Sequence, residues 1–400
     1  MKVLIIADAL PMPDRNAADF RFFALLGMIA ERHDAHFCAI NRTRQAAAIG
    51  DGPLQRYVHL LRSGNVGILE DSISQALKRH QYGAVVFEWH FPARALIDTV
   101  RVAQPRARII IDSVDVVFNR LEAKAHVTGA ATDSASAKAT KTSELAVYAA
   151  ADVVITVSDA DAAILHHCNP AIATITIPTV HPLQEPVSIP DAHACQLLFI
   201  GSFSRPGGET NIDGILYFCR EILPVVVAAE PRVRLRIIGS NPPPEVLALA
   251  SERIQVLGFV PETKPFLENS VVSIAPLRFG GGMKGKIGEA MSFALPVVTT
   301  STGIEGFGLS PGVDALVGDT PQDFAAAVIR LLHDRAYLEQ VRMAGYRFIR
   351  SRYSDDAIRA RIHALLDGLK DYPIKPASLS SVWRLTARGI WDRHLAWRFK

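Results

Sequence analysis

Four hundred residues exceed what one hydrophobic core normally serves, so two domains are expected, and a net charge of +3 from 43 Lys and Arg against 40 Asp and Glu argues against wholesale nucleic-acid binding. Cys38, Cys168, Cys195 and Cys219 stand apart with no Cys-x-x-Cys pair, which speaks against a zinc site or disulfide framework and for a reducing cytoplasm. The opening Met1-Lys2 and short apolar run lack a signal-peptide cleavage pattern, and no uncharged apolar stretch of about 18 residues follows.

In chain order, β-branched runs at 3–7, 35–40, 84–88, 108–112 and 152–157 alternate with segments of helical period or polar loop, which predicts parallel strands with crossover helices. Phe22, Leu25, Leu26 and Ile29 fall at i, i+3, i+4 and i+7 and mark the buried face of the helix after the first strand. Pro178, Pro182, Pro186 and Pro190 crowd a stretch with few regular signals, so a linker is placed at 184–194, between an N-terminal domain at 1–183 and a second domain at 195–353. The alternation restarts with strands at 196–200, 234–239, 271–275, 296–299 and 315–317, and with helices near 211–229, 284–293, 321–333 and 336–350. The expected class is α/β: two tandem, Rossmann-like, doubly wound domains facing each other across a cleft.

The stretch 276–303, PLRFGGGMKGKIGEAMSFALPVVTTSTG, carries the densest chemistry. Gly280, Gly281 and Gly282 allow backbone N–H groups to approach an anion, the following helix offers the positive end of its dipole, and Lys284 and Lys286 add full charge there. Glu289, about a turn further on, is an acceptor suited to paired sugar hydroxyls. A plainer reading stands beside this one, an exposed Lys286–Glu289 ion pair.

Beyond this stretch, the segments LLFIGSFSRPGGETNIDGILYF, RLRIIG and VLGFVPETKPFL, with ADALPMPDRNAADFRF and ELAVYAAADVVITVSDAD in the first half, make the chain resemble a retaining glycosyltransferase of the GT-B fold, similar to glycosyltransferase family 4. The resemblance implies transfer of a sugar from a nucleotide-sugar donor without a cofactor or an essential metal, because cations and a helix dipole neutralise the departing diphosphate. Carried over by position, Glu289 matches the glutamate that binds the ribose hydroxyls. Arg205 stands where an arginine contacts the diphosphate, and Gly258, Phe259 and Val260 match the loop that holds the base. Two departures matter. The first glutamate of the family's pair is replaced by Gly281, which leaves sugar recognition to the 280–283 backbone, Met283 included, and the lysine expected after the arginine is absent from GETN at 208–211. Lys284 and Lys286 are expected to compensate.

On the acceptor side the resemblance suggests a first-domain histidine near the donor sugar, and His90 lies just past the strand at 84–88, although a packed structural histidine beside Trp89 and Phe91 is the plainer alternative. Glu88, Asp112 and Asp115, at or just past strand ends, are candidates to orient an acceptor hydroxyl, with capping of the next helix by Asp112, Ser113 or Asp115 as the competing role. Asp14, Asn16 and Arg21 are candidate contacts to acceptor or diphosphate, with surface solvation as their alternative; adjacent His166 and His167 do not face one another and form no metal pair. The fold resembled sends its last helix, within 354–400, back to the first domain. Residues 378–400 hold five Arg or Lys against one Asp, with Trp383, Trp391 and Trp397, a composition that fits either that packing or peripheral contact with anionic membrane at the cytoplasmic face. The expected activity is retaining transfer of a hexose-type residue to a glycan or lipid-linked acceptor, in surface polysaccharide or glycoconjugate synthesis. The missing glutamate and lysine keep a non-catalytic nucleotide-sugar-binding or partner subunit open, and the fold resembled leaves a GT-B sugar-nucleotide epimerase as a third reading.

Overall fold

The computed structural model describes residues 1–15, 17–69, 72–128, 131–186, 195–204, 208–280 and 283–377. A first sheet holds β1 (Lys2–Ala7), β2 (Asp34–Ala39), β3 (Gly67–Ile68), β4 (Ala84–Glu88), β5 (Arg108–Asp112), β6 (Val153–Thr156) and β7 (Thr174–Thr176). Its order is β3-β2-β1-β4-β5-β6-β7, parallel throughout. A second parallel sheet holds β8 (Gln196–Ile200), β9 (Arg234–Ile238), β10 (Ile254–Gly258), β11 (Val272–Ala275), β12 (Val297–Thr299) and β13 (Leu316–Val317), ordered β10-β9-β8-β11-β12-β13.

Both faces of each sheet are covered, which is why the central strands read as unbroken apolar runs. In the first sheet Val3, Ile5 and Val86 face Phe22, Leu25, Leu26 and Ile29 of helix Ala17–Ala30, while Leu4, Val85 and Phe87 face Ile97, Val100 and Tyr148 on the other side. The second sheet is built likewise, with Leu197 and Phe199 on one face and Leu198 and Val297 on the other.

Three strands escaped the sequence pattern. β3 and β7 are too short to carry a period, and β10, at the sheet edge, alternates half-buried with exposed residues. The helix expected near 211–229 is interrupted: helix Glu209–Tyr217 passes through a π-turn at Phe218–Ile222 into helix Leu223–Ala229. Pro224 explains the break, since it has no N–H for the carbonyl one turn back and its ring crowds that carbonyl.

After helix Arg335–Arg352 the chain returns to the first domain. Ser354 caps helix Asp355–Asp367, whose Ile358, Ile362, Leu365 and Leu366 join the core formed by helix Ala17–Ala30. The crossing is clamped onward by Arg108 Nε, which donates to the carbonyls of Leu369 and Tyr372 at 3.1 and 2.7 Å, and by the Lys375 N–H to Asp152 Oδ1 at 2.7 Å. Residues 378–400, with the candidate membrane segment, lie outside the described residues. Ile362 is 2 % exposed, so Ile362→Ala is expected to destabilise the protein by about 2–5 kcal/mol, read as a fall in the urea midpoint. A change below about 0.5 kcal/mol would mean that the returning helix adds nothing to the first core.

Candidate functional site

In doubly wound sheets a crevice opens at the carboxyl ends of the strands where the order reverses, here between β1 and β4 and between β8 and β11. The two crevices face one another. The Arg15 guanidinium, after β1, lies 4.0 Å from the ring centroid of Phe259, after β10. Gly306 at φ +83° lets the second domain approach Ser158, after β6, so closely that a Cβ at position 306 would lie 2.9 Å from the Ser158 Cβ. A Cβ at Gly288, inside helix Gly285–Ser292, would lie 2.1 Å from His181 Nε2 on the segment leaving the first domain.

On the second-domain side, the N-termini of helix Glu209–Tyr217 and helix Gly285–Ser292 flank the ends of β8 and β11. Lys286 bridges them. Its Nζ donates to Asn211 Oδ1 and stands 4.9 Å from the Phe199 ring centroid. Desolvation, then the charge of Lys284, brings its pKa down to about 7. Lys284 is 8 % exposed; desolvation lowers its pKa, against the opposing pull of Asp115, Glu305 and Asp161. Gly280 passes both Lys284 and Thr210, and the Thr210 hydroxyl is buried without a hydrogen-bond partner among the described residues.

The Lys286–Glu289 ion pair is therefore not what this helix makes. Glu289 Oε1 instead accepts from Thr263 Oγ1 at 2.7 Å, and desolvation raises its carboxyl above the usual range, with the Thr263 bond opposing. Thr263 follows the loop of Gly258, Phe259 and Val260, so this bond ties Glu289 to the segment just after that loop. Gly258 takes φ +67° and its carbonyl accepts from the Gly239 N–H at 2.9 Å, which leaves Phe259 37 % exposed while Val260 packs partly into the core. Met283 is likewise half-buried against that core. Arg205, Gly281 and Gly282 lie outside the described residues, as does Asn16.

The first-domain side corrects several expectations. Arg21 and Asp112, candidates for acceptor contact, are each 1 % exposed and paired at 2.5 Å, with Arg21 also donating to the Ile177 carbonyl at 2.9 Å. Neither side chain reaches the cleft surface; they brace the ends of β5 and the first helix. Helix Val117–Thr128 is not capped by Asp112, Ser113 or Asp115. Glu144 caps it, accepting from the Val117 and Phe118 N–H groups at 3.0 and 2.9 Å, while Ser113 donates to the Ile155 carbonyl and Asp115 pairs with Arg120 at 2.8 Å. Burial lifts the Glu144 carboxyl to about 7. His90 Nδ1 is 3.5 Å from Glu144 Oε1 without forming a hydrogen bond, and desolvation lowers the ring's pKa to about 4, so the imidazole is neutral. Asp14 accepts from the Tyr57 hydroxyl at 2.7 Å and lies 3.6 Å from Arg56.

Thr210, Asn211, Thr263 and Glu144 were not singled out in the sequence. Thr210 and Asn211 fall in GETN, where the expected lysine is missing; Thr263 and Glu144 fall inside the segments VLGFVPETKPFL and ELAVYAAADVVITVSDAD, but nothing in those segments marked these two residues, which act through contacts distant in sequence.

Residues 194–334 match the family model described as Glycosyl transferases group 1. An uncharacterized 44.6 kDa protein in the cps region of Klebsiella pneumoniae is 25 % identical over 195 residues, 46 % of this chain, and the match spans about half of that relative's length, 49 %. Among solved structures, sucrose-phosphate synthase from Thermosynechococcus elongatus aligns at TM-score 0.68 and 15 % identity over 93 % of this chain and all of its own. Anabaena HepE in complex with UDP-glucose aligns at 0.67 and 12 % over 92 % and 99 %. TarM aligns at 0.59 and 14 % over 74 % and 57 %. The facing parallel sheets are the GT-B fold of these glycosyltransferases.

Lys286 generates a test independent of any ligand. A lysine at about 7 when folded, against 10.5 ordinarily, destabilises the fold most at and below pH 7, and the effect fades as pH rises toward the unfolded pKa because the unfolded chain then loses the proton as well. Lys286→Met is expected to raise the melting temperature at about pH 6.5 and to raise it less at about pH 9.5. An equal or larger gain at the higher pH would contradict this environment.

Proposed function

From a second domain that belongs to the group 1 glycosyltransferases, in a chain with the GT-B fold, we propose that this protein transfers a hexose-type residue from a nucleotide sugar to an acceptor hydroxyl in the cleft, with retention. The observation that carries the reading is Glu289, a desolvated carboxyl on the lysine-bearing helix, held by Thr263 from the segment just after the loop 258–260. The ribose hydroxyls would donate to Glu289, the base would lie along 258–260, and the diphosphate would meet Lys284, Lys286, the Thr210 hydroxyl and two helix N-termini.

Catalysis then rests on positioning and on cations already in place where the leaving diphosphate gains charge. Dry surroundings strengthen each of those contacts, and the same cations would serve without a metal. Retention follows from attack on the face that the diphosphate leaves, with neutral His90 at the first-domain wall beside the sugar. UDP is the favoured nucleotide because HepE is bound to UDP-glucose, and a surface glycan is the favoured product because the Klebsiella relative lies in a cps region.

The test is thermal stabilisation by a panel of UDP-, GDP-, ADP- and TDP-sugars. A UDP-sugar is expected to raise the melting temperature, by about 2.7 kcal/mol of stabilisation at 100 times its Kd, and Glu289→Ala to abolish the shift. A panel without a single shift would sink the reading.

A further inference from the structure

Resting on this transferase reading, we propose that the acceptor is itself a pyranoside, which stacks a C–H face on Trp89 and Phe91 and hydrogen-bonds Glu88, all three at the carboxyl end of β4. This strand borders the first domain's crevice. Among the described residues the exposed large apolar side chains include only two aromatics, Phe91 at 50 % and Phe259 at 37 %. Both follow strands whose ends open on the cleft. Phe259 is covered by Arg15, whereas Phe91 lies against rings of its own strand end, 3.9 Å from the His90 centroid and 6.2 Å from Trp89 at an interplanar angle of 34°.

The backbone is bent to present them. Trp89 takes φ +67°, a conformation costly for a bulky L-residue, and is pinned there by its N–H to the Asp112 carbonyl at 2.9 Å. Helix His90–Ala103 starts at once, so Phe91 stands at its first turn. Glu88, the last residue of β4, precedes the bend and is 8 % exposed. Its carboxyl is raised well above the usual range, by desolvation first and then by Asp19 and Asp112. A carboxyl accepts hydrogen bonds in either protonation state, which matches the hydroxyl donors of a sugar. Flat apolar rings beside such a group suit the C–H face of a pyranose.

The probes are methyl α- and β-glucopyranoside, galactopyranoside and mannopyranoside, titrated against the full chain by saturation-transfer NMR, with UDP-induced thermal shift read in parallel. At least one glycoside is expected to receive saturation on its ring C–H protons. Phe91→Ala, at an exposed position that tolerates truncation, is expected to weaken its binding about tenfold with the UDP shift intact. Glu88→Gln, a neutral amide that still accepts, is expected to retain binding, and Glu88→Leu to lose it. The proposal is overturned if no glycoside binds, if Phe91→Ala binds as the unaltered chain does, or if n-octanol competes as well as the glycoside, which would make the rings a general apolar contact. Glycoside binding without any nucleotide-sugar shift would sink the transferase reading and leave this subsite; a nucleotide-sugar shift without glycoside binding would do the reverse.

Discussion

The contact between Gly288 and His181 is the constraint on which the cleft depends. The imidazole fills the space that any side chain at 288 would occupy, and it is wedged by rings on two sides, with centroids 6.4 Å from Phe307 and 6.3 Å from Tyr353. Burial drives its pKa down to about 4, so it packs as a neutral ring. Tyr353 closes the arrangement, its hydroxyl on the Phe307 carbonyl at 2.7 Å and its own carbonyl accepting from the His181 N–H at 3.1 Å. The chain leaves the first domain at one of these residues and returns to it just after the other. Lys284, Lys286 and Glu289 ride on the helix that carries Gly288, so the spacing of the donor-side groups from the first domain follows from this one ring.

That helix is also where the fold accepts electrostatic cost. Two lysines with lowered pKa values and a carboxyl with a raised one gather on a short stretch of chain, and the buried Thr210 hydroxyl, without a hydrogen-bond partner among the described residues, lies on the neighbouring helix start. A core optimised for stability alone would not collect them, because buried charge and unmatched polar groups oppose folding.

The fold was legible because parallel strands buried on both faces leave a continuous apolar signature, and ten of the thirteen strands among the described residues carried one. β3, β7 and β10 did not, being short or half-exposed at the edges. In the site, glycines and charges on one short stretch were legible because their chemistry is local. What was not legible is pairing across the chain. Lys286 reaches Asn211 rather than Glu289, Glu144 caps a helix whose own leading acids are engaged elsewhere, and Arg21 meets Asp112 across 91 residues of chain. Spacing along a helix predicts neighbours on that helix, but a partner on another element is set by the sheet order.

The Arg21–Asp112 pair shows how such a hidden contact still governs the cleft. An ion pair with both partners at 1 % exposure adds little net stability, since desolvation offsets most of the attraction. It does fix geometry. Asp112 is the last residue of β5, its carbonyl holds the Trp89 N–H in the left-handed conformation, and two residues on Val114 takes φ +55°. Two strained non-glycine residues at the ends of adjacent strands persist only when their surroundings over-determine them. The guanidinium, anchored at the same time to the Ile177 carbonyl near the domain exit, supplies that determination. Removing it would leave a buried carboxylate directly behind Trp89, so the first-domain wall of the cleft owes its shape to a residue that never touches the space it frames.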